Sequence, residues 1–210
     1  MKKTFLLLSI LILTATISFG QAFEGIIVYE NTYKSNIPQV SDQQWAEFLG
    51  TTQEYYYKEG KYKSVFNGDL VQWQLYSQEE NKLYNKLANS ETAFWNDGNE
   101  PGEEVIAIAV NKGVIEVLGY LCDEVVLTCM GGVQRYYFNS EFAVDASLFS
   151  NHSFGNWYDY LSQANALPLK SIIESEELTT ESIATAVNPI KLDDSEFELP
   201  AGIRTEKSPY

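Results

Sequence analysis

The sequence predicts a mainly β protein of the α+β kind: one strongly curved antiparallel sheet, or an incomplete barrel, with two or three short helices packed on its open side. Three observations predict it. Short β-rich runs recur roughly every eight to twelve residues. Turn-forming pairs such as Asn67-Gly68 and Gly131-Gly132 fall between them. Helical periodicity surfaces only in brief stretches, which leaves helices to cover a sheet rather than to build the core.

In chain order, Lys2 and Lys3 precede the apolar run 5–13, and small or turn-forming residues follow at 18–22. This is the pattern of a secretory signal peptide over residues 1–20. The apolar run is shorter than the about 20 residues a membrane-spanning helix needs. Residues 21–210 are expected to form a single curved-sheet domain. Strand 24–30 opens it, and an insertion carrying Pro38 follows, where Ser41 caps a short helix with Trp45, Phe48 and Leu49 on one face. Tyr55-Tyr56-Tyr57 and 61–66 flank Glu59-Gly60 as a hairpin. Asn67-Gly68 is the stronger signal, because a type I′ turn needs two residues tolerant of positive φ. It leads into 71–75, a strict apolar/polar alternation.

Strands over 82–87 and 92–95 are followed by a polar loop over 96–104. Runs 105–110 and 114–118 flank Asn111-Lys112-Gly113 as another turn, and 121–128 pairs with 133–138 across Met130-Gly131-Gly132. Alternation lapses over 141–166, where Trp157-Tyr158-Asp159-Tyr160-Leu161 suits a short helix. Strands over 167–175 and 182–187 close the sheet, and the pattern ends at 197–200.

Net charge is −15, and no Lys/Arg cluster offsets it, so a nucleic-acid duplex or an anionic membrane surface would repel the chain, and no nucleic-acid partner is expected. No later run approaches membrane-spanning length, and no cysteine near the cleavage zone offers a lipid anchor. The product is expected to be soluble and exported, periplasmic or secreted. Its two cysteines, Cys122 and Cys129, meet an oxidising compartment, which favours a disulfide. Spacing argues the other way: seven residues of one strand place them roughly 23 Å apart, against the about 7 Å a bridge allows. The balance tilts against a bridge.

Catalytic chemistry finds little support. The single histidine, His152, sits among polar residues and is expected to be an exposed loop residue, with no Gly-x-Ser-x-Gly elbow to serve. Zinc has too few His and Cys ligands. The acidic groups Glu103-Glu104, Glu174/Glu176/Glu177 and Asp193-Asp194/Glu196 lack calcium-loop spacing and read as solvated faces. No catalytic residue, cofactor or metal site is expected. The abundance that remains is aromatic, with 14 Tyr, 11 Phe and 4 Trp. Tyr55 and Tyr57 share parity in one strand, as Trp73 and Leu75 do in another. These four either pack as core or line an apolar cavity. A fourteen-carbon chain buried there would contribute about 10 kcal/mol before the costs of binding.

Several stretches together resemble a family of exported Bacteroidota proteins of unknown function related to the GLPGLI proteins. They are Phe23-Glu24-Gly25-Ile26-Ile27, Leu118-Gly119-Tyr120-Leu121-Cys122 running into Arg135-Tyr136-Tyr137-Phe138, Leu167-Pro168-Leu169-Lys170, and the stretch 192–202. The literal motif of that family is absent. The resemblance implies a fold similar to the periplasmic lipoprotein carriers (LolA/LolB-like), a curved incomplete barrel plugged by helices, and no established catalytic residues. Two expectations follow: an exported envelope protein carrying a lipid, another apolar ligand or the acyl chain of a lipoprotein, or a protein-protein interaction module without a small ligand. A hydrolase built on an unrecognised carboxylate pair stands behind both.

Overall fold

A computed structural model describes residues 22–209, so the expected signal peptide lies outside the described residues. The strands are β1 (Gly25–Ser35), β2 (Thr52–Lys58), β3 (Lys61–Phe66), β4 (Val71–Ser77), β5 (Lys82–Leu87) and β6 (Thr92–Asp97). After the polar loop come β7 (Val105–Val117), β8 (Tyr120–Cys129), β9 (Gly132–Ala143), β10 (Ala166–Glu174), β11 (Leu178–Pro189) and β12 (Arg204–Lys207). Helix α1 (Asp42–Leu49) follows β1 and α2 (Trp157–Ala164) precedes β10; short 3₁₀ turns lie at Ala146–Phe149, Phe154–Asn156 and Asp194–Phe197.

All twelve strands form one curved sheet in the order β12-β6-β5-β4-β3-β2-β1-β11-β10-β9-β8-β7. Strands β1 to β6 make one meander and β7 to β11 another, and antiparallel pairing of β1 with β11 joins them. The sheet is mainly β as expected, but open: β12 and β7 are its two edges and no barrel closes. It is also mixed rather than wholly antiparallel, since β12 lies parallel to β6. Among the described residues, no helix is long and apolar enough to cross a membrane.

Helix α1 starts as its sequence dictates. The Ser41 hydroxyl accepts from the Gln44 amide at 3.2 Å, and Gln44 Oε1 accepts from the Ser41 amide at 2.9 Å, a reciprocal cap. It rests beside β1 and buries none of its residues. On the α2 face, α2 through Tyr160 and Leu161 and the turn at Ala146–Phe149 reach the core, and the turn at Asp194–Phe197 buries Phe197 on the other face.

Two turns differ from expectation. Glu59 and Gly60 take φ values of 45° and 80°, which makes the β2–β3 hairpin the primed turn. Asn67 and Gly68 take no positive φ. They belong to a longer connection held to the end of α1, where Asp69 N donates to Glu47 O at 2.7 Å. Gly68 is required by closeness: a Cβ there would lie 2.5 Å from the Gly50 nitrogen. Asn111-Lys112-Gly113 is likewise not a turn but a register slip within β7, and Leu118-Gly119 (φ 52° and 82°) makes the β7–β8 hairpin instead.

Register sorts the side chains into two layers. On the α2 face, Tyr57, Tyr62, Tyr76 and Leu83 form a row across four strands, and Ile27 pairs beside Tyr55. Helix α2, the turn at Ala146–Phe149 and the buried residues of β8 to β10 close over this layer. On the opposite face the row runs Ile26, Tyr56, Lys63, Leu75, Tyr84, Trp95. There Leu192, Phe197 and Leu199 of the C-terminal segment cover it.

Candidate interaction edge

The four residues expected to line one cavity lie in different layers. Tyr55 and Tyr57 are buried under α2, whereas Leu75 and Trp73 pack against the C-terminal segment on the other side of the sheet. They cannot share a cavity, because the register of β3 with β4 sets Lys63, not Tyr62, opposite Leu75. Aromatic rings occupy the α2 face: Tyr62 stacks on Tyr55 and Tyr76, both at 5.3 Å between centroids, and Tyr136 stacks on Tyr160 at 4.2 Å. On the other face, Trp73 borders an open groove of about 670 Å³ beside Lys86, Asn89, Glu91 and Pro200.

His152 is not an exposed loop residue. It is 1% exposed, stacked 4.1 Å from the Tyr76 ring, with Nε2 2.8 Å from the Tyr62 hydroxyl. Burial lowers its pKa to about 4, so the imidazole is neutral at ordinary pH, and Nδ1 has no hydrogen-bond partner among the described residues. Its ring is packed among those of Tyr62, Tyr76 and Phe149. Cys122 and Cys129 are free thiols, both buried, and burial raises both their pKa values, so neither is an activated nucleophile.

Several of the acidic groups have structural partners. Asp194 meets Lys58 and Lys61 at 3.1 and 2.9 Å, Glu196 meets Lys63 at 3.4 Å, and Asp193 caps the turn at Asp194–Phe197 through the Ser195 amide. These contacts pin the C-terminal segment to β2 and β3. Glu174 pairs with Arg135 at 2.6 Å. Among the described residues, no group of three or more His, Cys, Asp or Glu is placed to hold a metal.

The two sheet edges are where chemistry and exposure part company. Strand β12 is four residues long and carries Arg204, Glu206 and Lys207, all exposed. Short, charged strands of this kind are how proteins blunt a sheet edge. Strand β7 is thirteen residues long, without proline. Its register places Ile108 beside Leu127 and Val110 beside Val125. Leu127 and Val125 are fully buried, yet Ile108 and Val110 are 43% and 41% exposed, and nearby Ile106 is 62% exposed. The apolar row of the α2 face thus runs off the sheet uncovered, next to a line of unpaired main-chain groups. Leu121 and Met130, also exposed, lie on the adjoining hairpins.

Sequence reasoning missed this edge, although a signal was present. The run 105–110 is apolar at both parities, the pattern of a strand buried on both faces, and here 106–110 are exposed on both.

No family model matches the chain, and no curated protein matches it. Among solved structures the chain is similar to that of PNGF-II, with a TM-score of 0.48 and 14% identity. The match takes in 89% of this chain and 31% of the other, so the chain spans about a third of that structure's length.

Proposed function

We propose that this chain is an exported protein-interaction module of the cell envelope, which binds a partner by adding the partner's strand to β7. The observation that supports it is the contrast between the edges: β12 is short and charged, while β7 is long and leaves its apolar stretch 106–110 exposed. Main-chain pairing along such an edge supplies affinity, and alternate side chains supply selectivity. An exposed apolar row that continues a buried one is the ordinary sign of an interface. The apolar-carrier reading has no comparable support, because rings occupy the α2 face and the expected lining divides between two faces. Export rests on the pattern in residues 1–20.

A photo-crosslinking residue at position 108 should trap a stoichiometric adduct when the protein is expressed in its native envelope. The same residue at position 205, on β12, should trap none. Equal yields at both positions, or an Ile108→Lys variant that keeps its partner, would defeat the reading.

A further inference from the structure

We propose that the strand received by β7 is β7 of a second copy of this chain, paired antiparallel about a twofold axis at Ala109; this rests on the edge reading above. The argument begins with register. Ala107, Ile108, Ala109, Val110 and Asn111 face Thr128 to Glu124 one for one, while the register slips on either side, between Val105 and Ala107 and between Asn111 and Ile115. Bulges bend a strand and interrupt its ladder. They leave 107–111 as the regular window for an incoming strand.

A twofold axis that maps this window onto itself passes through Ala109. Ile108 then lies opposite Val110 of the second copy, and Ala107 opposite its Asn111. Every pair joins residues of equal parity, so the α2 faces of both copies lie on one side of the combined sheet. The apolar row that stops at Ile108 and Val110 continues without a break into the buried Leu127 and Val125 of the other copy. On the opposite face, Ala109 meets Ala109, and these small side chains let the axis close.

Charge agrees with the same register. The window 107–111 contains no charged residue. Just beyond it, Glu104 precedes the strand at one end and Lys112 follows the window at the other, so antiparallel pairing brings the Lys112 end of each copy beside the Glu104 end of the other. Among the described residues Glu104 forms no ion pair, and Lys112 holds Asp123 at 2.7 Å with its side chain still 75% exposed. The twofold makes this pairing twice.

Disulfide trapping tests the register. At the axis, Cα atoms of an antiparallel pair lie about 4.5–5.5 Å apart, inside the roughly 4.4–6.8 Å that a disulfide spans. Ala107 lies four residues out of step with its own copy, over about 13 Å away. Purified Ala109→Cys protein should therefore form a covalent dimer on mild oxidation, while Ala107→Cys and wild type, whose thiols are buried, should not. Sedimentation should show a concentration-dependent dimer that Ile108→Lys weakens by more than about tenfold. Glu104→Lys should also weaken it, and adding Lys112→Glu should restore it. Trapping at both 107 and 109 would mean parallel pairing and overturn the proposal. A wild-type monomer at about 100 μM that resists trapping at 109 would overturn it too. In that case an adduct to another polypeptide at position 108 spares the edge reading, and no adduct at all ends both.

Discussion

His152 lies between the rings of Tyr62, Tyr76 and Phe149, and its burial sets a pH dependence. Its folded pKa of about 4 lies below the ordinary 6.5. The unfolded chain therefore binds more protons than the folded one between those values, and stability falls as pH falls. The contribution is fully present above pH 6.5 and is lost progressively toward pH 4. Between pH 7.5 and 5 it amounts to about 2 kcal/mol. Carboxylates such as Glu24 and Asp194, held below their ordinary 4.5 and 3.8 by lysines, begin to lose their contribution only at lower pH. Urea unfolding at pH 7.5 and 5 should show the loss in wild type and a flattened difference in His152→Gln. An unchanged difference would refute the assignment. The neighbours of His152 in sequence, Asn151 and Ser153, gave no hint of burial, because it comes from Tyr62, 90 residues away.

Single elements carry their own tests. Ser41→Ala removes the reciprocal cap of α1, which should destabilise that helix by about 1 kcal/mol. Since α1 buries nothing, the loss should stay local: faster amide exchange over 42–49 with little change in global midpoint. Phe197→Ala should do the reverse. Phe197 is buried against Leu75 and Tyr84, so its truncation should cost about 3 kcal/mol by denaturant unfolding. Much of this level was legible: the cap at Ser41, the strand over 61–66 and the helix at Trp157 follow local rules. Trp73 and Leu75 show where legibility stops. Their shared parity was plain, but the side of the sheet they take depends on how the chain between Phe66 and Val71 sets register. Asn111-Lys112-Gly113 has chemistry that serves a turn or a bulge, and only its pairing with β8 decides. Strand β12, polar throughout, has no pattern of its own and exists through its parallel contact with β6.

At the scale of the molecule, β1 touches both halves. It pairs with β2 on one side and β11 on the other, with Tyr29 beside Gln53 and Ala184. The aromatic layer under α2 likewise takes residues from both meanders. Neither half can lose its order without stripping a neighbour from the other, so a single cooperative transition is expected. Tryptophan fluorescence and far-ultraviolet circular dichroism should give coincident unfolding curves. Two separated midpoints would show that the halves melt alone.

That seam also sets an order in time. Synthesis runs from the amino end, so β1 is made long before β11, the strand that completes its ladder. Until then the side of β1 that β11 will occupy stays open, with Ile27 and Tyr29 alongside it, as a docking point for any other nascent chain. A chain held unfolded until its last strands have emerged escapes this hazard.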